Sequence, residues 1–307
     1  MANTFHRIFA IIPAHNRKDV TLNCLEKLHR IRTHFSLEII VVDDGSTDGT
    51  SDAIANGYPQ VILLKGDGNL WWSGATNLGV QHALQNGADF ILTLNDDVDF
   101  NDDFLLNMFT TAMENPSRII CALICHDENR DMVLSAGRYR AGFLGYKTPA
   151  RYQNQPMAAI TETLIDSELE SGYAMLIPNA VFENIGLFDY QHFPHHMGDM
   201  DFVLRARKKG YRVIVDTRAV LFTTTGDNYL AKFFEKKSFG DSLRALFDIK
   251  STIYLKTRLL FILRYTSPRA LTPVSIGFFM LRISMFLFIK AIMPKKIVRK
   301  IALKRYG

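Results

Sequence analysis

Cysteine is scarce in this chain, with only Cys24, Cys121 and Cys125 among 307 residues. Three such residues cannot staple a chain of this length. They form no C-x-x-C pair and no His stands near them at zinc-ligand spacing, so a reduced cytoplasmic chain without structural zinc is expected. The G-x-G-x-x-G fingerprint is missing after the first apolar run, where Pro13-Ala14-His15-Asn16-Arg17 stands instead, and this removes a Rossmann oxidoreductase. G-x-x-x-x-G-K-[ST], H-E-x-x-H and G-x-S-x-G are also absent, which excludes the simplest P-loop, metalloprotease and serine-hydrolase readings. Ile8 to Pro13 is too short for a signal-peptide core. Val274 to Ile289 is the most apolar stretch, but Arg282 interrupts it and Pro273 and Gly277 weaken its start, so a spanning helix is not the favoured reading.

What is present is a globular composition, 48% hydrophobic and 22% charged, on a chain about twice the ~150-residue modal domain. The net charge of +5 conceals a division, because residues 231–307 hold 17 of the 36 Lys and Arg but three of the 31 acids, Glu235, Asp241 and Asp248. A body of residues 1–230 and a basic tail of residues 231–307 are therefore expected. The tail is rich in Phe, Leu, Ile and Met and poor in Gly, Ser and polar base-reading side chains. That favours an anionic membrane surface over nucleic acid as its partner, through basic amphipathic helices, with packing on a second subunit as the other possibility.

In the body, Ile8 to Pro13 and Glu38 to Asp43 are continuous apolar runs ending in turn formers, as strands buried on both faces are. Between them a helix is expected from about Asn16 to Ile31. Val61 to Leu64 and Phe90 to Leu94 read as further strands, with helices at Gly74 to Asn86, Asp102 to Glu114 and Phe202 to Gly210. This alternation predicts an α/β fold with a doubly wound, mostly parallel sheet, whose ligands lie beyond the carboxyl ends of its strands.

Those ends are acidic. One strand runs into Asp43-Asp44-Gly45-Ser46-Thr47-Asp48, another into Asn95-Asp96-Asp97-Val98-Asp99. Alone, the first suits a turn followed by a helix cap. Several acids at one strand end repel one another unless a cation neutralises them, and Mg²⁺ or Mn²⁺ suits such oxygen ligands, commonly with substrate phosphates.

Over residues 7 to 225 these features resemble the inverting family 2 glycosyltransferases, which have the GT-A nucleotide-diphospho-sugar transferase fold. The elements that carry the resemblance are Ile12 to Arg17, Val41 to Thr50, Asn69 to Gly79 (with Trp71-Trp72), Asn95-Asp96-Asp97, Ser171 to Ile177, Gly186 to Asp189 and Gly198 to Tyr211. The set is most similar to rhamnosyltransferase-type enzymes of bacterial surface polysaccharide synthesis. The resemblance implies that Pro13, His15, Asn16, Arg17, Asp43 and Asp44 line the donor nucleotide pocket, with Trp72, Gly74, Asn77, Asn95 and Asp96 also on the donor side. It implies that Asp97 holds Mg²⁺ or Mn²⁺ across the donor diphosphate and that Asp199 is the general base. Trp71, Tyr173, His195, His196 and Asp201 are the acceptor-side candidates. Two positions depart from the family pattern: Asn95 replaces the first Asp of D-x-D and offers a neutral oxygen, and Gly198 stands where many relatives have Glu.

Trp71 or Trp72 also suits a core anchor, Met175 and Leu176 read as core, and Arg205 reads as a helix-surface partner of Asp201. The expected function is transfer of a sugar, first L-rhamnose from dTDP-rhamnose, to a glycan or lipid-linked glycan. The expected location is the inner face of the cell membrane, with homo-oligomer formation as a further option. The competing readings are a sugar-1-phosphate nucleotidyltransferase, whose Gly-rich loop after the first strand is missing, and a non-catalytic glycan-binding or membrane-scaffold protein.

Overall fold

The computed structural model describes residues 6–31, 33–139, 149–224 and 238–292. The described residues fall into two compact units: 6–31, 33–139, 150–194 and 198–224 in the first, and 149, 195–197 and 238–292 in the second.

The first unit is built on one ten-stranded sheet. Its strands are β1 (Arg7–Ala14), β2 (Ser36–Asp43), β3 (Ile62–Lys65), β4 (Phe90–Leu94), β5 (Val98–Phe100), β6 (Arg118–His126), β7 (Val133–Ser135), β8 (Leu164–Ser167), β9 (Ala174–Pro178) and β10 (Arg212–Thr223). Its helices are α1 (Lys18–Arg30), α2 (Thr50–Gly57), α3 (Trp71–Gln85), α4 (Phe104–Glu114), α5 (Asn179–Ile185) and α6 (Gly198–Lys208). The spatial order is β3-β2-β1-β4-β9-β6-β10-β5, with β7 on β6 and β8 on β10. β1 to β4 run parallel, as do β6 and β10, while β9 lies antiparallel between β4 and β6.

Helices cover both faces, which is why the strands read as unbroken apolar runs rather than as alternation. Along β1, Ile8, Ala10 and Ile12 join one core with Leu25 and Leu28 of α1 and Phe104 and Met108 of α4. The intervening Phe9 and Ile11 join the opposite core with Val80 and Ala83 of α3 and Phe202 and Val203 of α6.

The register brings the chemistry to one edge. Ala14 pairs with Asp43 and Asp43 with Lys65, so the loops after the first three strands emerge side by side. β4 ends there at Leu94. Because β9 runs the other way, its start, Ala174, lies opposite Leu94, and the Asn95 N–H donates to the Tyr173 carbonyl over 3.1 Å. The Ser171-Gly172-Tyr173 segment therefore reaches the acidic edge through strand inversion.

Two helices start earlier than expected. α3 begins at Trp71, because its N-terminal end is anchored by side-chain bonds described below. α6 begins at Gly198 rather than Phe202, with Asp199 and Asp201 in its first turn, where carboxylates complement the positive end of the helix dipole. α2 and the later strands β5 to β10 carried no assignment from the sequence.

The second unit contains α7 (Phe239–Ala245), α8 (Leu255–Tyr265) and α9 (Thr272–Ile292). Ser238 and Asp241 form a reciprocal capping box on α7. Phe286 of α9 packs on Ala245, and Lys290 Nζ donates to Ser242 Oγ over 2.7 Å. With the preceding short turn, α9 forms a 24-residue span, Arg269–Ile292, that is long and apolar enough by length and composition to cross a membrane, an 18-residue window within it having a mean hydropathy of 1.8. The helix continues past both ends of Val274–Ile289 despite Pro273, whose ring is tolerated in the first turn. Phe233, Phe234 and the basic residues beyond 292 lie outside the described residues.

Candidate donor and catalytic site

The loops after β1 and β2 are laced into one rim. The Asn16 N–H donates to Ser46 Oγ over 2.8 Å and its Oδ1 accepts from the Thr47 N–H over 2.7 Å. His15 Nδ1 lies 2.6 Å from the Asp44 carbonyl oxygen. Asp43 Oδ1 accepts from the Ser46 N–H over 2.9 Å, and the Ser51 hydroxyl donates to its other oxygen. Asp44 accepts the Gly68 N–H at Oδ1 over 2.8 Å and the Trp71 N–H at Oδ2 over 2.9 Å. Both carboxylates are buried, and their oxygens organise the backbone of the rim and fix the first residue of α3.

Beyond β4, Arg17 joins the two acids that follow Asn95: one guanidinium nitrogen lies 3.0 Å from Asp96 Oδ1 and the other 3.1 Å from Asp97 Oδ2. Thr21 Oγ1 donates to Asp96 Oδ2 over 3.0 Å. Burial pushes the Asp96 carboxyl up to about 6, Arg17 pulling against it and Asp97 adding to it. Asp97 Oδ1 is buried with no hydrogen-bond partner. A buried carboxylate oxygen left unpaired is costly, and a hard divalent cation satisfies it. The donor set thus fits Mg²⁺ or Mn²⁺ in part. Among the described residues no group of three or more His, Cys, Asp or Glu converges, so the remaining ligands would come from phosphate and water, as Mg²⁺ sites commonly arrange.

Asn95 does not face that position as a free oxygen, because its Oδ1 accepts the Trp72 indole N–H over 2.9 Å. Trp72 is the core anchor of the pair, set edge-on to Phe188 with centroids 5.3 Å apart. Trp71 opens α3 at a φ of +54°.

Asp199 is half-buried at the start of α6. Its Oδ2 accepts the Gly172 N–H over 2.8 Å and its Oδ1 the Met200 N–H over 2.8 Å. Desolvation raises its pKa, while those two N–H groups and the Arg138 charge oppose the rise. Held by two backbone donors, the carboxylate keeps lone pairs for a proton. Gly172 permits this arrangement: a Cβ there would stand 2.5 Å from Trp72 Cζ2 and 3.4 Å from the Asp199 Cβ. The departure at Gly198 has a steric cause, since a Cβ at that position would fall on Ser73 Oγ and lie 3.0 Å from the Phe193 carbonyl oxygen. A glutamate does not fit this backbone.

Several expectations are corrected. Asp201 is 0% exposed and forms an ion pair with Arg205 Nε at 2.8 Å. Arg205 also donates to the carbonyls of Ile185 and Leu187 over 2.7 and 2.8 Å, so the pair is a buried structural clamp and neither a surface pair nor an acceptor contact. Asn77 spends its amide on the Phe188 backbone, donating over 2.8 Å and accepting over 2.9 Å. It fastens that segment to α3 instead of facing a donor. Gly74 lies on the same helix, where an added Cβ would meet the side chains of Leu70 and Tyr190. His195 and His196 belong to the second unit, where His196 Nε2 lies 3.1 Å from the Lys250 carbonyl oxygen and the two rings are 4.5 Å apart. Burial lowers the pKa of both, His195 to about 4. Met175 and Leu176 are core. Glu170, fully buried just before Ser171, had no signal in the sequence because an isolated acid in a loop shows no periodicity.

The model of glycosyl transferase family 2 matches residues 9–163. A stretch of 116 residues is 34% identical to the uncharacterized glycosyltransferase YibD of Escherichia coli, covering 37% of this chain and 31% of that one. A stretch of 198 residues is 25% identical to an N-acetylglucosaminyl-diphospho-decaprenol L-rhamnosyltransferase of Mycobacterium tuberculosis, covering 59% and 64%. The chain thus spans less than two thirds of the length of either curated relative. Among solved structures, a mannosyltransferase from Pyrobaculum calidifontis in complex with GDP-Man and Mn²⁺ superposes with a TM-score of 0.55 at 13% identity, over 98% of this chain and 86% of that one. GalNAc-T7 with UDP, GalNAc and Mn²⁺ gives 0.59 at 11% identity, over 90% and 57%. These neighbours establish the GT-A fold.

Proposed function

The chain belongs to glycosyl transferase family 2, and on that premise we propose that it is a metal-dependent, inverting transferase that moves a sugar from a nucleoside-diphosphate donor to a hydroxyl of a glycan or lipid-linked glycan. The observation that carries the reading is the meeting, at one sheet edge, of two unlike carboxylates. Asp97 presents a buried, unpartnered oxygen suited to a cation, and Asp199 is held by backbone donors with its proton affinity raised.

An acceptor hydroxyl is a poor nucleophile at neutral pH, so a carboxylate within hydrogen-bond reach must take its proton as the oxygen bonds to the anomeric carbon. Asp199 takes that proton. The bond from the anomeric carbon to the diphosphate oxygen breaks in the same displacement, its electron pair leaving with the nucleoside diphosphate, and the configuration inverts. A divalent cation at Asp97, with Asp96 beside it, would neutralise charge on the departing diphosphate. The Pro13 to Arg17 and Asp43 to Asp48 rim receives the nucleotide, and Arg17 is available to phosphate once a cation engages the two acids.

L-Rhamnose from dTDP-rhamnose is the donor proposed first, supported by similarity to a relative named as an L-rhamnosyltransferase acting on a lipid-diphosphate acceptor. The second unit fits a lipid-borne acceptor. Val274, Phe278, Leu281, Met285, Phe288 and Ile292 of α9 are exposed at intervals of three and four residues, one apolar stripe beside basic segments, as interfacial helices have. The protein would then sit at the cytoplasmic face of the membrane. Thermal stabilisation by a panel of nucleotide sugars with Mn²⁺ tests the donor, since a ligand at 100 times its Kd adds ~2.7 kcal/mol. Stabilisation by dTDP-rhamnose above other donors is the expected result, and no response to any nucleotide sugar would contradict the reading.

A further inference from the structure

Asn95 is followed by three carboxylates, Asp96, Asp97 and Asp99, and the structure divides them between two sets of cations. Asp99 is taken up twice: Lys27 Nζ lies 2.9 Å from its Oδ1 and Arg130 Nη2 lies 2.5 Å from its Oδ2. Asp96 and Asp97 are left to Arg17. Alone among the described residues, Arg17 forms ion pairs with them, Nη1 at 3.0 Å from Asp96 Oδ1 and Nη2 at 3.1 Å from Asp97 Oδ2. One unit charge therefore faces two. The Arg17 side chain is 40% exposed, against 2% for Asp96 and 17% for Asp97, so the guanidinium lies on the solvent side of the pair. Beneath it, Asp97 Oδ1 stays buried with no hydrogen-bond partner.

The backbone that carries Arg17 is fixed on both sides. Asn16, at a φ of +51°, is bound to Ser46 and Thr47, and the Lys18 N–H donates to Asp48 Oδ2 over 2.9 Å. A change of partner by Arg17 is then a swing of the side chain alone.

A divalent cation that approaches Asp97 competes with the guanidinium for Oδ2 and repels it at short range. Released into water, Arg17 loses two charge-assisted hydrogen bonds. A diphosphate alters that balance, because the planar fork of arginine fits phosphate oxygens as well as carboxylates. Conversely, a diphosphate that arrives without a cation meets two carboxylates of its own sign, and drawing Arg17 away would leave their charge uncompensated. Only when both ligands arrive does every charge keep a partner.

Resting on the assignment of a divalent cation to Asp97, we propose that Arg17 is an exchange switch: it bridges Asp96 and Asp97 until a cation binds, opposes binding of the cation alone, and moves onto the donor diphosphate as the cation takes its place. Cation and nucleoside diphosphate then bind cooperatively, each raising the affinity of the other by the same factor.

The test is Mn²⁺ binding to the intact protein, read by electron paramagnetic resonance without nucleotide and with each of UDP, GDP and dTDP, for wild type and Arg17→Gln. Without nucleotide, Arg17→Gln is expected to bind Mn²⁺ about tenfold more tightly than wild type. In the wild type at least one nucleoside diphosphate should raise Mn²⁺ affinity by about fivefold or more, within the usual range of coupling between sites, and in Arg17→Gln that factor should fall towards one. Equal or weaker binding of Mn²⁺ alone by Arg17→Gln, or a coupling factor that survives the substitution, would overturn the proposal. Should Arg17→Gln fail to fold, Arg17→Lys keeps the charge without the two-pronged bridge and must also bind Mn²⁺ alone more tightly than wild type; an unchanged affinity would overturn it equally. If Asp97→Ala binds Mn²⁺ as the wild type does, the cation assignment itself fails, a result read with Arg17 in place and so separable from failure of the switch.

Discussion

The Trp72 indole N–H and the Asn95 side-chain oxygen are joined by a 2.9 Å hydrogen bond. The bond ties the start of α3 to the acidic end of β4 and accounts for a neutral amide at the first position of the acidic motif. The same indole lies where a Cβ on Gly172 would stand, 2.5 Å from Trp72 Cζ2. Gly172→Ala is therefore expected to destabilise the fold by ~1–3 kcal/mol through overpacking and to displace the Asp199 contact. Trp72→Phe removes the clashing atoms, so the double variant should be less destabilised than the two single effects added together. Denaturant midpoints measure this, and strictly additive losses would contradict the contact.

Asp97→Ala should abolish Mn²⁺-dependent binding of the donor nucleotide while the thermal transition stays close to wild type, since the oxygen it removes has no protein partner at Oδ1. Calorimetric titration of a nucleoside diphosphate with Mn²⁺ and with chelator reads it. Full transfer activity in excess chelator would sink the metal assignment.

The stability of the fold should depend on pH through the buried Glu170. Its carboxyl is raised from 4.5 to about 7 in the folded protein, so the folded state retains a proton that the unfolded chain loses first. The associated stability is full below pH 4.5 and is lost as pH rises through 7. Gln cannot titrate, so the stability of Glu170→Gln relative to wild type should rise across pH 4.5 to 7. A difference that is flat with pH would mean that Glu170 ionises normally.

The parallel half of the sheet was legible in the sequence because strands buried on both faces leave apolar runs, and the acidic turns marked their carboxyl ends. β4 matched its expected bounds, Phe90–Leu94. The inverted β9 was not legible as such, although Met175 and Leu176 read as core, since direction leaves no mark on composition. The partners of the side chains named for the site were hidden. Nothing in the spacing of Asp201 and Arg205 distinguishes an exposed helix pair from a buried clamp reaching two carbonyls of another segment. Arg17 bridging Asp96 and Asp97 joins residues some 80 apart in the chain, a relation made by the fold alone.

The exposed stripe of α9 predicts binding to anionic vesicles. The basic residues contribute ~1 kcal/mol each near such a surface and are screened within about 8–10 Å, so part of the binding should fall as salt rises while apolar insertion leaves a resistant remainder. Leu281→Glu with Phe288→Glu, both exposed, should remove the resistant part. Liposome flotation measures it, and an intact chain that ignores anionic vesicles at low salt while forming a stable oligomer would make the stripe a subunit interface.

The account turns on Asp199, and the most direct measurement compares Asp199→Asn with wild type for donor affinity and single-turnover sugar transfer in the same preparation. Asn keeps the size and one accepting oxygen for the Gly172 N–H but cannot take the hydroxyl proton. Donor affinity should persist while transfer falls by ~10²- to 10⁴-fold, the usual contribution of general base catalysis. Transfer at a near-normal rate would contradict the account and require another base.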